Sequence, residues 1–277
     1  MKNQLSSFRL NPNAGIMSWY VKELKKLVQA MAKECNKEIS GIYKDLGYQT
    51  EFAQDDSISS QMRIALNALY DKYYSKFSDR AKRLIKKLLK DTNRYSNSQI
   101  NAALKDMLGD KANGFLLKGS AITPEKSEIM KALMFENVSL IKSIPDEYFK
   151  QITGAVARSI EGGMGVKGLK DTLLPMLKKF GDKAERRAEL IAQDQTRKAY
   201  NSINLRNFQE NGITKFKWLH SGGSREPRPY HRDVLNGNIY DISTGAPNEP
   251  GKDPAYIYPG QEPYCRCVMQ AVLDFED

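Results

Sequence analysis

The side chains of this chain that are best suited to metal or nucleophilic chemistry are concentrated in its C-terminal quarter. Of its 2 His and 3 Cys, Cys35 lies elsewhere and the others are His220, His231, Cys265 and Cys267. Imidazoles and thiolates are the ligands that zinc prefers in closed tetrahedral sites, but such sites usually place about two to four residues between paired cysteines. Because a single residue separates Cys265 from Cys267, we expect these cysteines to alternate across a strand and His231 to hydrogen-bond within its loop. No metal and no cofactor is predicted, and a zinc site is the alternative.

Enzymatic chemistry is a second alternative for the same residues. A metal-dependent enzyme acting on DNA, such as a nuclease, could be assembled around His231, Asp233, Asn236 and His220. Such a site would need further ligands on a following helix, and the chain instead continues into an acidic strand. A nucleophile pair of Cys265 and His231 would need a lowered thiol pKa, which no feature of the sequence predicts. We therefore predict that the protein is not an enzyme, with a nuclease built on His231, Cys265 and Cys267 as the alternative.

Four arginines in the C-terminal quarter are expected to be structural: Arg225, Arg228, Arg232 and Arg266. A guanidinium group can tie loops together through several hydrogen bonds to carbonyl and carboxylate oxygens. The acceptors nearest in sequence are Glu226, Asp233 and Asp241. Contact with phosphate is the functional alternative, but residues 221–277 carry 5 basic and 9 acidic side chains. Their net negative charge favours the structural role.

The remainder of the chain is strongly basic. The whole chain has a net charge of +10, which leaves +14 for residues 1–220. Such a charge attracts DNA without sequence preference, through the release of counterions. The residues predicted to form a weak DNA-binding surface are Lys72, Lys76, Lys82, Arg83, Lys86, Lys87 and Lys90. The alternative is that they solvate a helix or face acidic patches on a protein partner.

Apolar spacing predicts a mainly α protein with a long helical N-terminal arm and a small C-terminal α+β module. Helices are expected over residues 18–42, 57–95, 97–108, 124–143, 145–161, 169–180 and 182–210. The helix over 57–95 is unusually long, so we expect either a break near Ser78 and Asp79 or an extended arm. No strand is expected before residue 212.

Alternating and apolar segments predict strands over residues 213–220 and 268–273, joined by ordered loops rich in Gly and Pro. Seven of the 11 Pro follow residue 220, which marks a change of architecture. We therefore divide the chain into a basic helical region, a helical connector and a loop-rich α+β module, over residues 1–145, 146–212 and 213–277.

Length and composition exclude several classes of protein. No segment approaches the roughly 18 consecutive apolar residues of a membrane-spanning helix, so no membrane span is predicted. The N-terminal residues lack the apolar run of a secretory signal. Adjacent-but-one cysteines would close a strained disulfide ring, so reduced thiols and synthesis in a cytoplasm are expected.

The order of short motifs in the C-terminal half carries a family resemblance. A Trp-ending strand leads through an Arg-rich turn to a His, then to a Leu-Asn-Gly turn, a Pro-Gly segment and a closing Cys-Arg-Cys. The residues of this motif are Trp218, Arg225, Arg228, His231, Asn236, Gly237, Cys265, Arg266 and Cys267. Together with the preceding helix, residues 146–272 resemble the minor head proteins of tailed bacteriophages, the Mu F-like head morphogenesis family. Some members have Cys-x-x-Cys where this chain has residues 228–231, and this difference disfavours a metal.

The resemblance implies a binding function without turnover. It implies a minor capsid protein of the virion head near the portal, made in the host cytoplasm and present in several copies per head. Portal proteins, capsid proteins or both are the implied partners, and packaged DNA is a further, sequence-independent one. The implied roles are head morphogenesis and the packaging, ejection or delivery of DNA. A host DNA-binding or toxin-delivery protein that uses the same module is a further alternative.

Overall fold

The computed structural model describes residues 6–47, 55–114, 122–161, 165–222 and 227–273. Within these residues the α-helices are α1 (Ala14–Gly47), α2 (Asp55–Leu108), α3 (Pro124–Glu161) and α4 (Gly165–Glu210). Small strands follow α4, so the predicted mainly α fold with a C-terminal α+β module is confirmed. No helix among the described residues combines the length and apolar character needed to cross a membrane.

Helix α2 is continuous through 54 residues. At about 1.5 Å of rise per residue its length is about 80 Å. The predicted helices over 57–95 and 97–108 are therefore one helix, and the alternative of a break near Ser78 is wrong. The absence of Gly and Pro between Asp55 and Leu108 explains this continuity, because those residues are the strongest helix breakers.

Two other predicted helix boundaries are also wrong. Pro145 lies inside α3, and α4 runs without interruption through residues 169–210. A proline inside a helix costs about 3 kcal/mol, so burial must offset it. Ile144 and Tyr148, on either side of Pro145, are both buried. Packing of this kind decides helix continuity here more than local propensity does.

The chain forms two compact units, each assembled from separate segments. One unit comprises the described residues of Met1–Ser18, Lys86–Met134 and Gln193–Asp277. The other comprises those of Trp19–Ile85 and Phe135–Ala192. Each unit combines segments that are distant in sequence. The predicted boundaries at residues 145 and 212 instead divide the chain into continuous regions of different composition. The division by composition stays a prediction about regions of the sequence.

The strands of the first unit form two antiparallel sheets. They are β1 (Ser6–Arg9), β2 (Lys215–Leu219), β3 (Ile239–Asp241), β4 (Ala246–Pro247), β5 (Tyr256–Ile257) and β6 (Val268–Leu273). The larger sheet has the order β1-β6-β2-β3, and β4 pairs with β5. The predicted strand over 268–273 is confirmed, and the strand predicted over 213–220 is present as β2.

Strand β1 contradicts the expectation of no strand before residue 212. It is four residues long, too short to show a periodic pattern of its own. Its pairing comes from the distant C-terminal strand β6, with Ser6 opposite Leu273 and Arg9 opposite Gln270. Phe8 is buried and packs edge-on against Phe208 of α4, at a ring-centroid distance of 5.9 Å.

Candidate functional site

The two histidines and two cysteines that the sequence offered as an alternative zinc site lie near one another at one end of the larger sheet. Strands β2 and β6 are antiparallel neighbours, with Leu219 opposite Val268. The residue after β2, His220, therefore lies beside the residue before β6, Cys267. A short π-helical turn, Tyr230–Leu235, supplies His231 to the same place.

Three of these side chains, His231, Cys265 and Cys267, have ligand atoms close enough to share one small ion. Nδ1 of His231 lies 3.6 Å from Sγ of Cys265 and 3.8 Å from Sγ of Cys267. The ligand atoms of these three residues all lie within 4.8 Å of one another, and the three side chains are buried. Nδ1 of His220, which is half-buried, lies 3.7 Å from Sγ of Cys267. We call these four residues the His–Cys cluster.

The expected alternation of Cys265 and Cys267 across a strand is wrong. Strand β6 begins at Val268, so both cysteines belong to the turn that precedes it. In this turn the N–H of Cys265 donates to the carbonyl of Glu262 at 3.0 Å, and Tyr264 has a φ of +59°. The turn directs both sulfurs toward His231.

A carboxylate lies behind His231. Nε2 of His231 is 3.0 Å from Oε2 of Glu262, and Nε of Arg228 is 3.1 Å from the same oxygen. A second nitrogen of Arg228, Nη2, donates to the carbonyl of Pro263 at 2.9 Å. Glu262 is not among the residues predicted from the sequence, although its position just before the Cys-Arg-Cys segment could have indicated it.

The four arginines expected to tie loops together differ in what they contact. Arg228 has the loop contacts that this role requires. Arg232 forms a bidentate pair with its neighbour Asp233, at 2.7 and 2.8 Å, and this pair spans no loop. Arg266 is half-buried, and its charge adds to burial in lowering the pKa of Arg197. Arg225 lies outside the described residues.

The Trp and Asn-Gly parts of the predicted motif hold the two histidines in place. Trp218 is fully buried and meets the His231 ring edge-on, with ring centroids 5.0 Å apart. Oδ1 of Asn236 accepts the backbone N–H of His220 at 2.9 Å. The N–H of Gly237 donates to the Trp218 carbonyl at 2.8 Å, and its φ of +85° suits glycine.

Helix α4 anchors the turn that carries the cysteines. The helix residues that form these contacts were not predicted from the sequence. Oδ1 of Asp194 accepts the N–H of Tyr264 at 2.5 Å, and Nδ2 of Asn201 donates to the carbonyl of Cys267 at 3.2 Å. Gly260 packs so closely on α4 that a Cβ there would lie 2.2 Å from Nδ2 of Asn201. The local sequence around a polar helix residue does not show what that residue contacts, because its partners here come from distant segments of the chain.

The two thiols of the cluster favour a single negative charge. The hydrogen bond with Cys267 lowers the pKa of Cys265, burial opposes this shift, and the contact with His231 lowers the pKa further. The neighbouring Cys265 thiolate and burial together raise the pKa of Cys267. The arrangement therefore attracts a cation or retains a proton between the sulfurs.

The residues predicted to bind DNA lie on α2, and they are not equally available. Lys72 pairs with Glu34, and the ammonium of Lys76 lies 5.3 Å from the ring centroid of Tyr73. Lys87 is exposed and pairs with Asp91. The other four residues of this predicted set, Lys82, Arg83, Lys86 and Lys90, are exposed.

Comparison with known proteins identifies the class to which the C-terminal half is related. Residues 150–270 match the family described as "Phage Mu protein F like protein". This match confirms the resemblance to the Mu F-like phage head family, and the matched segment contains the whole His–Cys cluster.

A longer relative is also known by sequence. A protein of Haemophilus influenzae (strain ATCC 51907 / DSM 11121 / KW20 / Rd), described as "Uncharacterized protein", is 26% identical over 261 residues. The alignment covers 92% of this chain and 53% of the relative, so the chain spans about half the length of that curated relative. No solved structure matches the chain.

Proposed function

We propose that this protein is a minor head protein of a tailed phage or prophage that acts in head morphogenesis and in the packaging or delivery of DNA. The observation that carries this proposal is the match of residues 150–270 to the Mu F-like family. In this proposal the protein is a virion component near the portal, present in several copies per head. Portal proteins, capsid proteins or both are its partners.

The build of the C-terminal half supports a binding role. The sheet and α4 bury a contiguous core that includes Phe216, Trp218 and Met269. Three members of the His–Cys cluster lie within that core, since His231, Cys265 and Cys267 are each 3–4% exposed. Buried ligand atoms cannot reach the phosphates of a DNA duplex. The geometry thus favours a binding protein over the competing DNA-acting enzyme.

The basic surface of α2 supports contact with packaged DNA. Lys82, Arg83, Lys86 and Lys90 are exposed at helical spacing, while Ile85 and Leu89 between them are buried. Exposed cations in this arrangement can follow a phosphate backbone without reading its sequence. We include this contact in the proposal as a sequence-independent one.

Disruption of the gene in the phage or prophage that carries it tests the function. We expect normal tail production, together with defective heads or filled heads that fail to deliver DNA. A plasmid copy of the wild-type gene should restore infectious particles, and a copy truncated before β2 should not. Infectious, DNA-filled particles in normal yield without the protein would contradict the proposed function.

A nuclease assay separates the competing enzyme from the head protein. The purified protein is incubated with linear duplex DNA and Mg²⁺, Mn²⁺ or Zn²⁺, alongside the Cys265→Ser variant. The proposal predicts no difference in cleavage between the two proteins. Cleavage by the wild type that the variant loses would favour the enzyme instead.

A further inference from the structure

We propose that the His–Cys cluster is a structural zinc site, with His231, Cys265 and Cys267 as its central ligands and His220 as the fourth. Three observations carry this inference: the distances between ligand atoms, the carboxylate behind His231, and the burial of the cluster. None of them depends on the proposed role in the phage head.

The distances match those of a tetrahedral zinc site. Zn–S bonds of about 2.3 Å and Zn–N bonds of about 2.0–2.1 Å at tetrahedral angles place a sulfur and a nitrogen about 3.6 Å apart. The observed Sγ to Nδ1 distances are 3.6 and 3.8 Å for His231 and 3.7 Å for His220. S–H···N hydrogen bonds have similar separations, so the distances permit a zinc site and the other two observations add to them.

The donor set selects the metal. Two sulfurs and two imidazole nitrogens in tetrahedral geometry are typical of zinc, whereas magnesium and calcium prefer oxygen. Two thiolates also neutralise the charge of a divalent cation. Metal binding requires deprotonated ligands, so zinc would displace the protons of the two thiols.

The surroundings of His231 supply the outer contacts of a zinc-binding histidine. Metal-binding histidines commonly direct their second nitrogen at a carboxylate, which fixes the tautomer and the ring orientation. In this protein Glu262 occupies that position at 3.0 Å from Nε2, and Arg228 holds the carboxylate from its other side. With Nε2 facing the carboxylate, Nδ1 is the ring nitrogen that faces the two sulfurs.

The position of His220 indicates a closed structural site. It follows β2 directly, and Asn236 fixes its backbone. Its Nδ1 lies 3.7 Å from Sγ of Cys267, and a rotation of the imidazole toward His231 and Cys265 is needed to complete the tetrahedron. With four protein ligands no position is left for a reacting water, which distinguishes a structural from a catalytic zinc.

Metal analysis of the full chain tests this inference. The protein is purified without chelator from cells grown with added zinc, and its metal content is measured by mass spectrometry. We expect about one zinc per chain. Cys265→Ser, Cys267→Ser and His231→Ala should each lower the zinc content at least tenfold. The matched control is Cys35→Ser, a buried cysteine outside the cluster, which should retain one zinc.

Cobalt substitution of the wild type keeps the test valid if the variants fail to fold. Addition of Co²⁺ to the chelator-treated protein should give the strong visible absorption of tetrahedral thiolate coordination. His220→Ala should change this spectrum and weaken binding without abolishing it. Wild-type protein that is folded by circular dichroism, holds less than one tenth of an equivalent of zinc and shows no such absorption would overturn the proposal. An unchanged cobalt spectrum in His220→Ala would overturn the assignment of the fourth ligand.

Discussion

Glu262 lies 3.0 Å from Nε2 of His231, on the side of the imidazole opposite the two cysteine sulfurs. The carboxylate and the sulfurs thus use the two nitrogens of one ring. Arg228 shares the same carboxylate oxygen and also binds the carbonyl of Pro263. These contacts link the predicted Arg-rich turn to the His–Cys cluster. They also hold residues 262 and 263, just before the Cys-Arg-Cys segment, against Arg228 and His231.

Removal of the Glu262 charge should weaken zinc binding without removing the site. We expect Glu262→Gln to lower zinc affinity by about 10–100-fold, as changes in outer-shell partners typically do. The measurement is competition with a chromophoric chelator. Glu249→Gln is the control, because Glu249 is exposed and pairs with nearby Lys252 at 2.5 Å, and its affinity should equal that of the wild type. Equal affinities for all three proteins would show that Glu262 does not position His231.

A methyl group at Gly260 should destabilise the module. Gly260→Ala meets both a φ of +79° and a Cβ position 2.2 Å from Nδ2 of Asn201. The matched control is Gly251→Ala, which has a φ of +84° and open space around the added Cβ. The control should cost about 1–2 kcal/mol through backbone strain alone, and Gly260→Ala should cost more. Urea unfolding measures both, and equal decreases in unfolding free energy would refute a role for the close approach to Asn201.

Strands β2 and β6 and much of the helical pattern could be predicted from the sequence. The four residues of the His–Cys cluster could be named from it as an alternative zinc site, but their approach to one another and the pairing of β1 could not. Strand β6 could be predicted from its apolar run, and α2 from the absence of Gly and Pro, because both patterns are local in sequence. The approach of His220 to Cys267 depends on the register of β2 against β6, which no local pattern encodes. The helix boundary predicted at Pro145 was wrong for a related reason. The free-energy cost of proline inside α3 is offset by packing against residues distant in sequence, which local sequence does not show.

A buried ion pair should make Glu210 important for stability. Lys126 is 1% exposed, and its Nζ lies 2.7 Å from Oε2 of Glu210. Glu210→Gln removes the carboxylate charge beside a buried ammonium, which should cost about 3–5 kcal/mol of unfolding free energy. Glu128→Gln is the control, because its pair with Lys131 is exposed and such pairs contribute about 0–1 kcal/mol. Thermal and urea unfolding should separate the two variants, and a decrease below about 1 kcal/mol in Glu210→Gln would contradict a stabilising role for the pair.

Charge reversal on α2 should weaken DNA binding equally for unrelated sequences. The variant has Glu in place of Lys82, Arg83, Lys86 and Lys90. For each phosphate that the variant no longer binds, the slope of log affinity against log salt should become shallower by about 0.9 on duplex DNA. The full-length protein is titrated with two unrelated duplexes at several salt concentrations.

The control for that experiment reverses four exposed basic side chains on α4: Lys178, Lys179, Lys183 and Arg186. The control changes net charge by the same amount, so it should weaken binding less if the α2 surface contacts the phosphates. Equal effects in the two variants would mean that net charge alone governs the attraction. No binding by the wild type at low salt would contradict the DNA contact altogether.

Quantitative mass spectrometry of purified phage heads tests the proposed function most directly. Heads are isolated both before and after DNA packaging, and the copy number of the protein is measured relative to the portal and major capsid proteins. The proposed function requires several copies per head, far fewer than those of the major capsid protein, in at least one of the two preparations. Absence of the protein from both preparations would contradict it.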